Sequence, residues 1–115
     1  MTDLAETYRI VHPEAGVAVV ELLGEHDLDG RDELTDLLFH LVAENSLVVV
    51  DVSSAEFIDS SVLFNLVRAD RLAREQGTSF RLQVGTAPIV RRVLELSNVL
   101  DALDWADCRE EALRP

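Results

Sequence analysis

The sequence predicts an α/β domain built on a mixed β-sheet of four to five strands with about four helices. Short β-branched runs alternate along the chain with longer segments whose apolar residues recur every three or four positions. The connections are brief and carry glycine, proline, asparagine and aspartate, the residues that turns require. Strand–helix–strand order with short links gives parallel crossovers, whereas the first two strands lie too close in sequence for a crossover and read as an antiparallel pair.

The elements follow in order. Tyr8-Arg9-Ile10-Val11 and Val17-Ala18-Val19-Val20-Glu21-Leu22-Leu23 flank the turn His12-Pro13-Glu14-Ala15-Gly16 and form a hairpin. Gly24 to Gly30 breaks the pattern. Leu34, Leu37, Leu38, Leu41 and Val42 then make one helical stripe, with Asp29 as candidate N-cap, acids Asp32 and Glu33 in the first turns and Asn45 at its end. Leu47-Val48-Val49-Val50 is apolar throughout, as in a strand buried on both faces.

Asp59 caps a second helix that runs to about Gln76, with Gly77 in the C′ position. At 100° per residue, Val62, Leu66, Ala69 and Ala73 face the core, flanked by Leu63 and Leu72, while Phe64, Arg68, Arg71 and Glu75 face outward. Phe80-Arg81-Leu82-Gln83-Val84 alternates, so one face of that strand is expected to be more exposed. Pro88 opens a third helix with the stripe Ile89, Val90, Val93, Leu94 and Ser97, ended by Asn98. Leu103-Asp104-Trp105-Ala106 reads as a weak last strand, followed by a short helix through Glu110-Glu111-Ala112-Leu113.

Composition narrows the function. With 115 residues, one domain over 1–115 is expected, and 48% apolar content is enough for a core without metal or disulfide. Acids number 22 against 10 basic residues, all arginine, for a net charge of −12. That balance disfavours nucleic acid and anionic membranes, which need clustered positive charge. No segment is apolar for the ~20 residues of a membrane span. The single cysteine, Cys108, has no partner for an intramolecular disulfide, and the acidic start Met1-Thr2-Asp3-Leu4-Ala5-Glu6 is unlike a signal peptide, so a cytoplasmic location is expected.

Catalytic signatures are missing. The sequence holds no nucleophile elbow, no zinc-protease helix, no paired-cysteine motif and no phosphate-binding glycine loop. His12, His26 and His40 are scattered, and Asp27-x-Asp29-Gly30 lacks the length and the closing glutamate of a calcium loop. No catalytic residue, metal or cofactor is expected. What stands out is Phe57-Ile58-Asp59-Ser60-Ser61, leading from loop into helix. Serine and aspartate there ordinarily cap a helix, but a phosphate on Ser60 would also meet free N–H donors while adding about −1.5 to −2 charge to the surface. An outward Phe64 between arginines suits a partner anchor, since aromatics and arginine dominate interface hot spots.

These residues resemble a family. Leu23-Gly24-Glu25-His26-Asp27-Leu28 resembles the motif between strand and first helix in STAS domains, the bacterial anti-sigma factor antagonists. Val49-Val50-Asp51-Val52-Ser53-Ser54-Ala55-Glu56-Phe57-Ile58-Asp59-Ser60-Ser61 resembles that family's second block: a buried strand, Asp-x-Ser, then Phe-x-Asp-Ser-Ser before a helix. The similarity spans about 8–113. The resemblance implies a STAS-like fold and a non-enzymatic protein that binds an anti-sigma factor serine kinase and releases a sigma factor. Phosphorylation at Ser60 would switch it off, and a serine phosphatase would restore it. Glu25, Asp27, Asp59, Ser61, Phe64 and Arg68 would form the partner surface. Val62 stands where the family usually has glycine, a departure that stiffens the first helical turn and bears on kinase access. The alternative is a STAS module that is not phosphorylated, a scaffold or docking subunit of a signalling or transporter complex.

Overall fold

The computed structural model describes residues 8–26 and 31–114, with backbone alone at Glu25, His26 and Arg31. The candidate cap Asp29 therefore lies outside the described residues. Strands β1 (Tyr8–Val11) and β2 (Val17–Leu22) form the expected antiparallel hairpin, with Tyr8 opposite Leu22 and Val11 opposite Val19. β3 (Gly24–His26) follows at once, and α1 (Arg31–Glu44) leads to β4 (Leu47–Asp51). β5 (Ala55–Ile58) enters α2 (Ser60–Gln76), then come β6 (Ser79–Gln83), α3 (Pro88–Leu96), α4 (Val99–Ala102), β7 (Trp105–Ala106) and α5 (Arg109–Ala112).

The main sheet is ordered β1-β2-β4-β6-β7, with every pair after the hairpin parallel, so the sheet is mixed as expected. One face carries Ala18, Val20, Leu22, Val48, Val50 and Leu82 against the buried stripes of α1, α2 and α3. The α1 stripe holds as predicted, with Leu34, Leu38, Leu41 and Val42 buried and Leu37 half-buried. On the other face Val17, Val19, Leu47 and Val49 pack under Ala106 and Ala112. β4 is thus buried on both faces, which is why its sequence has no polar alternation.

Four expectations need correction. β6 was expected to keep one face more exposed, yet Phe80 to Gln83 are all buried. Its polar side chains face the C-terminal segment: Arg81 Nη1 donates to the Glu111 carbonyl at 2.7 Å, and Gln83 Oε1 accepts from Arg109 Nε at 2.7 Å. In α3 the buried residues are Val90 and Leu94 with Val93 half-covered, whereas Ile89 and Ser97 point to solvent. Helix α4 was not expected; it begins after Asn98, which turns the chain with φ 61°. Two short strands, β3 and β5, were also read as loop.

Glycine is required at Gly85, after β6. Its φ is +72°, and a Cβ there would lie 2.5 Å from the Ser53 Cβ, closer than any side chain tolerates. This close approach lets the β4–β5 turn pack on the β6–α3 turn.

Candidate functional site

The site is built at the end of β4. Asp51, the last residue of that strand, accepts from the Ser53 backbone N–H at 2.8 Å through Oδ1 and also from the Ser53 hydroxyl. Those bonds fold the chain back from the main sheet, and Ala55 N–H closes the turn on the Val52 carbonyl at 3.1 Å. β5 then runs parallel to β3, pairing Gly24 with Ala55, Glu25 with Phe57 and His26 with Ile58 across a bulge between Gly24 and Glu25. This two-stranded sheet is what brings the two motif blocks side by side. Asp27 lies outside the described residues, as does the Glu25 side chain; Glu25 is placed only by register, opposite Phe57.

Asp59 has extended backbone and accepts from the Ser61 N–H at 2.8 Å through Oδ1, satisfying one free donor of α2. Ser60, the first helical residue, is exposed. Ser61 turns inward, and its Oγ is buried without a hydrogen-bond partner. Val62 is 1% exposed and belongs to the core, as the helical projection predicts. Three successive positions therefore point to solvent, to a helix interface and to the core.

The outward face of α2 also follows the projection. Phe64 is 74% exposed, and Arg68, Arg71 and Glu75 are exposed with it. The Arg68 guanidinium lies over the Phe39 ring of α1, 5.7 Å from its centroid, and Nη1 reaches Asn65 Oδ1 at 3.4 Å. Phe64 stands between two clefts. One, of about 370 Å³, is polar and runs between α1 and α2, lined by Asp32, Thr35, Ser61, Phe64, Asn65 and Arg68. The other, of about 160 Å³, is mostly apolar and lies between α2 and α4; Leu63, Phe64, Val67, Val99 and Ala102 line it together with Ser60, Ser97 and Asn98. Of the predicted partner residues, Asp59, Ser61, Phe64 and Arg68 thus share one helix and its opening turn with Ser60.

Two polar features escaped the sequence reading. Arg109, from α5, reaches Glu21 Oε2 at 2.8 Å, Asp51 Oδ2 at 2.7 Å and Gln83 Oε1 at 2.7 Å. Those three residues sit side by side in register on β2, β4 and β6. The hydrogen bonds from Arg109 and Arg9 hold the Glu21 carboxyl below its ordinary range, burial opposing them only in part. Asp70, on the inner side of α2, is raised instead, because burial outweighs its 3.0 Å pair with Arg74. The Arg109 cluster does not show in the sequence, since its partners lie far from it along the chain. The Asp70–Arg74 pair, one helical turn apart, does not by itself reveal that Asp70 is buried. Among the described residues no group of histidine, cysteine, aspartate and glutamate is placed to hold a metal ion. No described helix is long and apolar enough to cross a membrane.

Comparison with known proteins places this geometry. A family model described as "Mlab, STAS domain" matches residues 12–104. No curated protein matches by sequence. Among solved structures, an anti-sigma factor antagonist from Mycobacterium paratuberculosis superposes with a TM-score of 0.77 at 26% identity, covering 93% of this chain and 90% of that one. The anti-sigma factor antagonist SpoIIAA in its unphosphorylated form gives 0.75 at 17% identity, with 92% of each chain covered. A serine-to-glutamate variant of RsbS from Moorella thermoacetica gives 0.70 at 22% identity, over 92% of this chain and 91% of that one. The last two show a shared fold. With the family match spanning most of the sequence and both motif blocks joined by β3 and β5, this chain belongs to the STAS domain family.

Proposed function

We propose that the chain is an anti-sigma factor antagonist, acting as one domain over residues 1–115. It binds an anti-sigma factor that is also a serine kinase and thereby frees a sigma factor. Transfer of a phosphoryl group from ATP to the Ser60 hydroxyl switches it off, and a serine phosphatase removes that group. The chain itself catalyses nothing and works in the cytoplasm. The observation that carries this reading is the exposed Ser60 at the start of α2, one helical turn from the exposed Phe64. Glu25, Asp27, Asp59, Ser61, Phe64 and Arg68 make up the proposed docking surface.

A phosphate on Ser60 adds about −1.5 to −2 charge beside Asp59 and in the lining of an apolar cleft. Like-charge repulsion and the cost of drying a dianion then oppose docking. The test is mass spectrometry of the protein incubated with ATP and its co-purifying kinase. One phosphoryl group is expected on the wild type and none on Ser60→Ala, which keeps its kinase, while Ser60→Asp loses it. Equal phosphorylation of Ser60→Ala sinks the acceptor assignment.

Val62 supports a second reading, a STAS module that is not phosphorylated. Its side chain is anchored in the core two residues after Ser60, so the first turn of α2 is held stiffly where the family glycine would relax it. A kinase-bound complex in which Ser60 stays unmodified would favour this reading.

A further inference from the structure

Asp51, buried at the end of β4, divides its two carboxylate oxygens between two parts of the chain. Oδ1 holds the Ser53 turn, and Oδ2 accepts from Arg109 Nη2 at 2.7 Å. The same turn is held from a second side. The Val52 N–H donates to the Gln83 carbonyl at 2.9 Å, and Gly85 lies against Ser53 so closely that no Cβ fits. Gly85 in turn donates its N–H to the Asp107 carbonyl at 3.0 Å. Arg91 Nη1 bridges the Gly85 carbonyl and Asp107 Oδ1, at 2.8 and 2.9 Å. Residues 107 to 109 thus grip the turn both through Gly85 and through Asp51. Beyond it β5 pairs with β3, in a two-stranded sheet separate from the main one. The Ser53 turn is therefore a joint between the two sheets, whereas α2 is anchored in the core by Val62, Leu63 and Leu66.

We propose that Arg109 is a positioning residue for the candidate site: by holding Asp51, it sets how β3 and β5 stand relative to the exposed face of α2. A partner that spans both, in that respect resting on the proposed docking surface, needs the small sheet and the helix in one arrangement. The physical reason is charge. A carboxylate as buried as Asp51 needs a cation beside it. Without Arg109 it must take up a proton or turn toward water, and either change weakens its bonds to Ser53. Apolar packing cannot take over. The buried side chains that the C-terminal segment brings to that face of the sheet are the small Ala106 and Ala112.

Amide exchange of the full-length protein tests the coupling in Arg109→Met, with Val42→Ala, in the buried stripe of α1, as a destabilised control outside this network. In Arg109→Met the Ser53 and Ala55 amides should exchange at least about tenfold faster than in the control. Arg109→Lys keeps a cation for Asp51 and should recover most of that protection. With the co-purifying kinase and ATP, Arg109→Met should raise KM for the chain about tenfold and leave kcat within about twofold, the signature of lost binding. A role in stability alone leaves KM at its wild-type value while the chain is folded. Ser53→Ala cuts the hydroxyl bond to Asp51 without touching Arg109, so it should raise KM even where Arg109→Met does not fold. Equal exchange in Arg109→Met and Val42→Ala overturns the proposal, as does exchange in Arg109→Lys as fast as in Arg109→Met. An unchanged KM in Arg109→Met and Ser53→Ala overturns it as well. If the wild type takes up no phosphoryl group, the proposed switch falls, and exchange at Ser53 and Ala55 alone decides the positioning.

Discussion

Three consecutive residues at the start of α2 show how much a 100° step decides. Ser60 reaches solvent, Ser61 Oγ is buried with no partner, and Val62 is sealed in the core. Replacing Val62 by the family glycine removes a buried side chain and loosens the backbone. We expect Val62→Gly to lose about 2–4 kcal/mol of stability in urea unfolding. A loss below about 1 kcal/mol would mean that neighbours collapse into the space. Asp70 offers a second test. Its carboxyl is raised from 3.8 in the folded state, mainly by burial, so the folded protein holds that proton more tightly than the unfolded chain. Its contribution to stability therefore falls as pH rises from the unfolded value through the folded one. Asp70→Asn should remove that decline, measured as unfolding free energy against pH; an unchanged profile would clear Asp70 of the effect. The fate of Val62 was legible from helical period; the inward turn of the Ser61 hydroxyl was not. The buried Asp70 was not either, because the burial that raises it is set by the distant segments packed against α2.

Between elements, the controlling device is the row Glu21, Asp51 and Gln83 across β2, β4 and β6. Adjacent parallel strands set two carboxylates side by side, and Arg109 of α5 bonds to all three residues. Removing that guanidinium leaves Asp51, at 4% exposure, without its charge partner. Arg109→Met should cost about 2–4 kcal/mol, seen as a lower urea midpoint. The acid limb should change as well. Glu21 is held below its usual 4.5, so it contributes stability above that value that is lost as pH falls through its folded pKa. Without Arg109 this loss should shrink, leaving only the share due to Arg9. An acid limb identical to wild type would refute the pairing. Asp51 also holds the Ser53 turn, so one carboxylate anchors the C-terminal segment and the approach to β5. The long elements were legible from their period, whereas β3, β5 and α4, at three to four residues each, lie in segments rich in polar and turn-forming residues and depend on distant partners.

Over the whole molecule the surplus of acid sets the behaviour. Self-repulsion at net charge −12 weakens with screening, so raising ionic strength from low salt to about 0.15 M should raise Tm by about 2–5 °C. A fall in Tm would show instead that exposed pairs such as Arg9–Glu21 and Arg91–Asp107 outweigh the repulsion. Of the described arginines without an ion pair, Arg68 and Arg71 lie on α2, Arg92 on α3 and Arg114 after α5. The sequence by itself determined the α/β class, the order of the long elements, the inward and outward faces of α2, and the two family blocks. Each of these depends on neighbours within a turn or a strand, where local period and capping chemistry act. Tertiary structure alone decided that the blocks meet through β3 and β5, that β6 is covered on its polar face, and that Phe64 divides two clefts. Those features depend on which distant segments pack together, and burial then sets the partners and charges of residues such as Arg109 and Asp70.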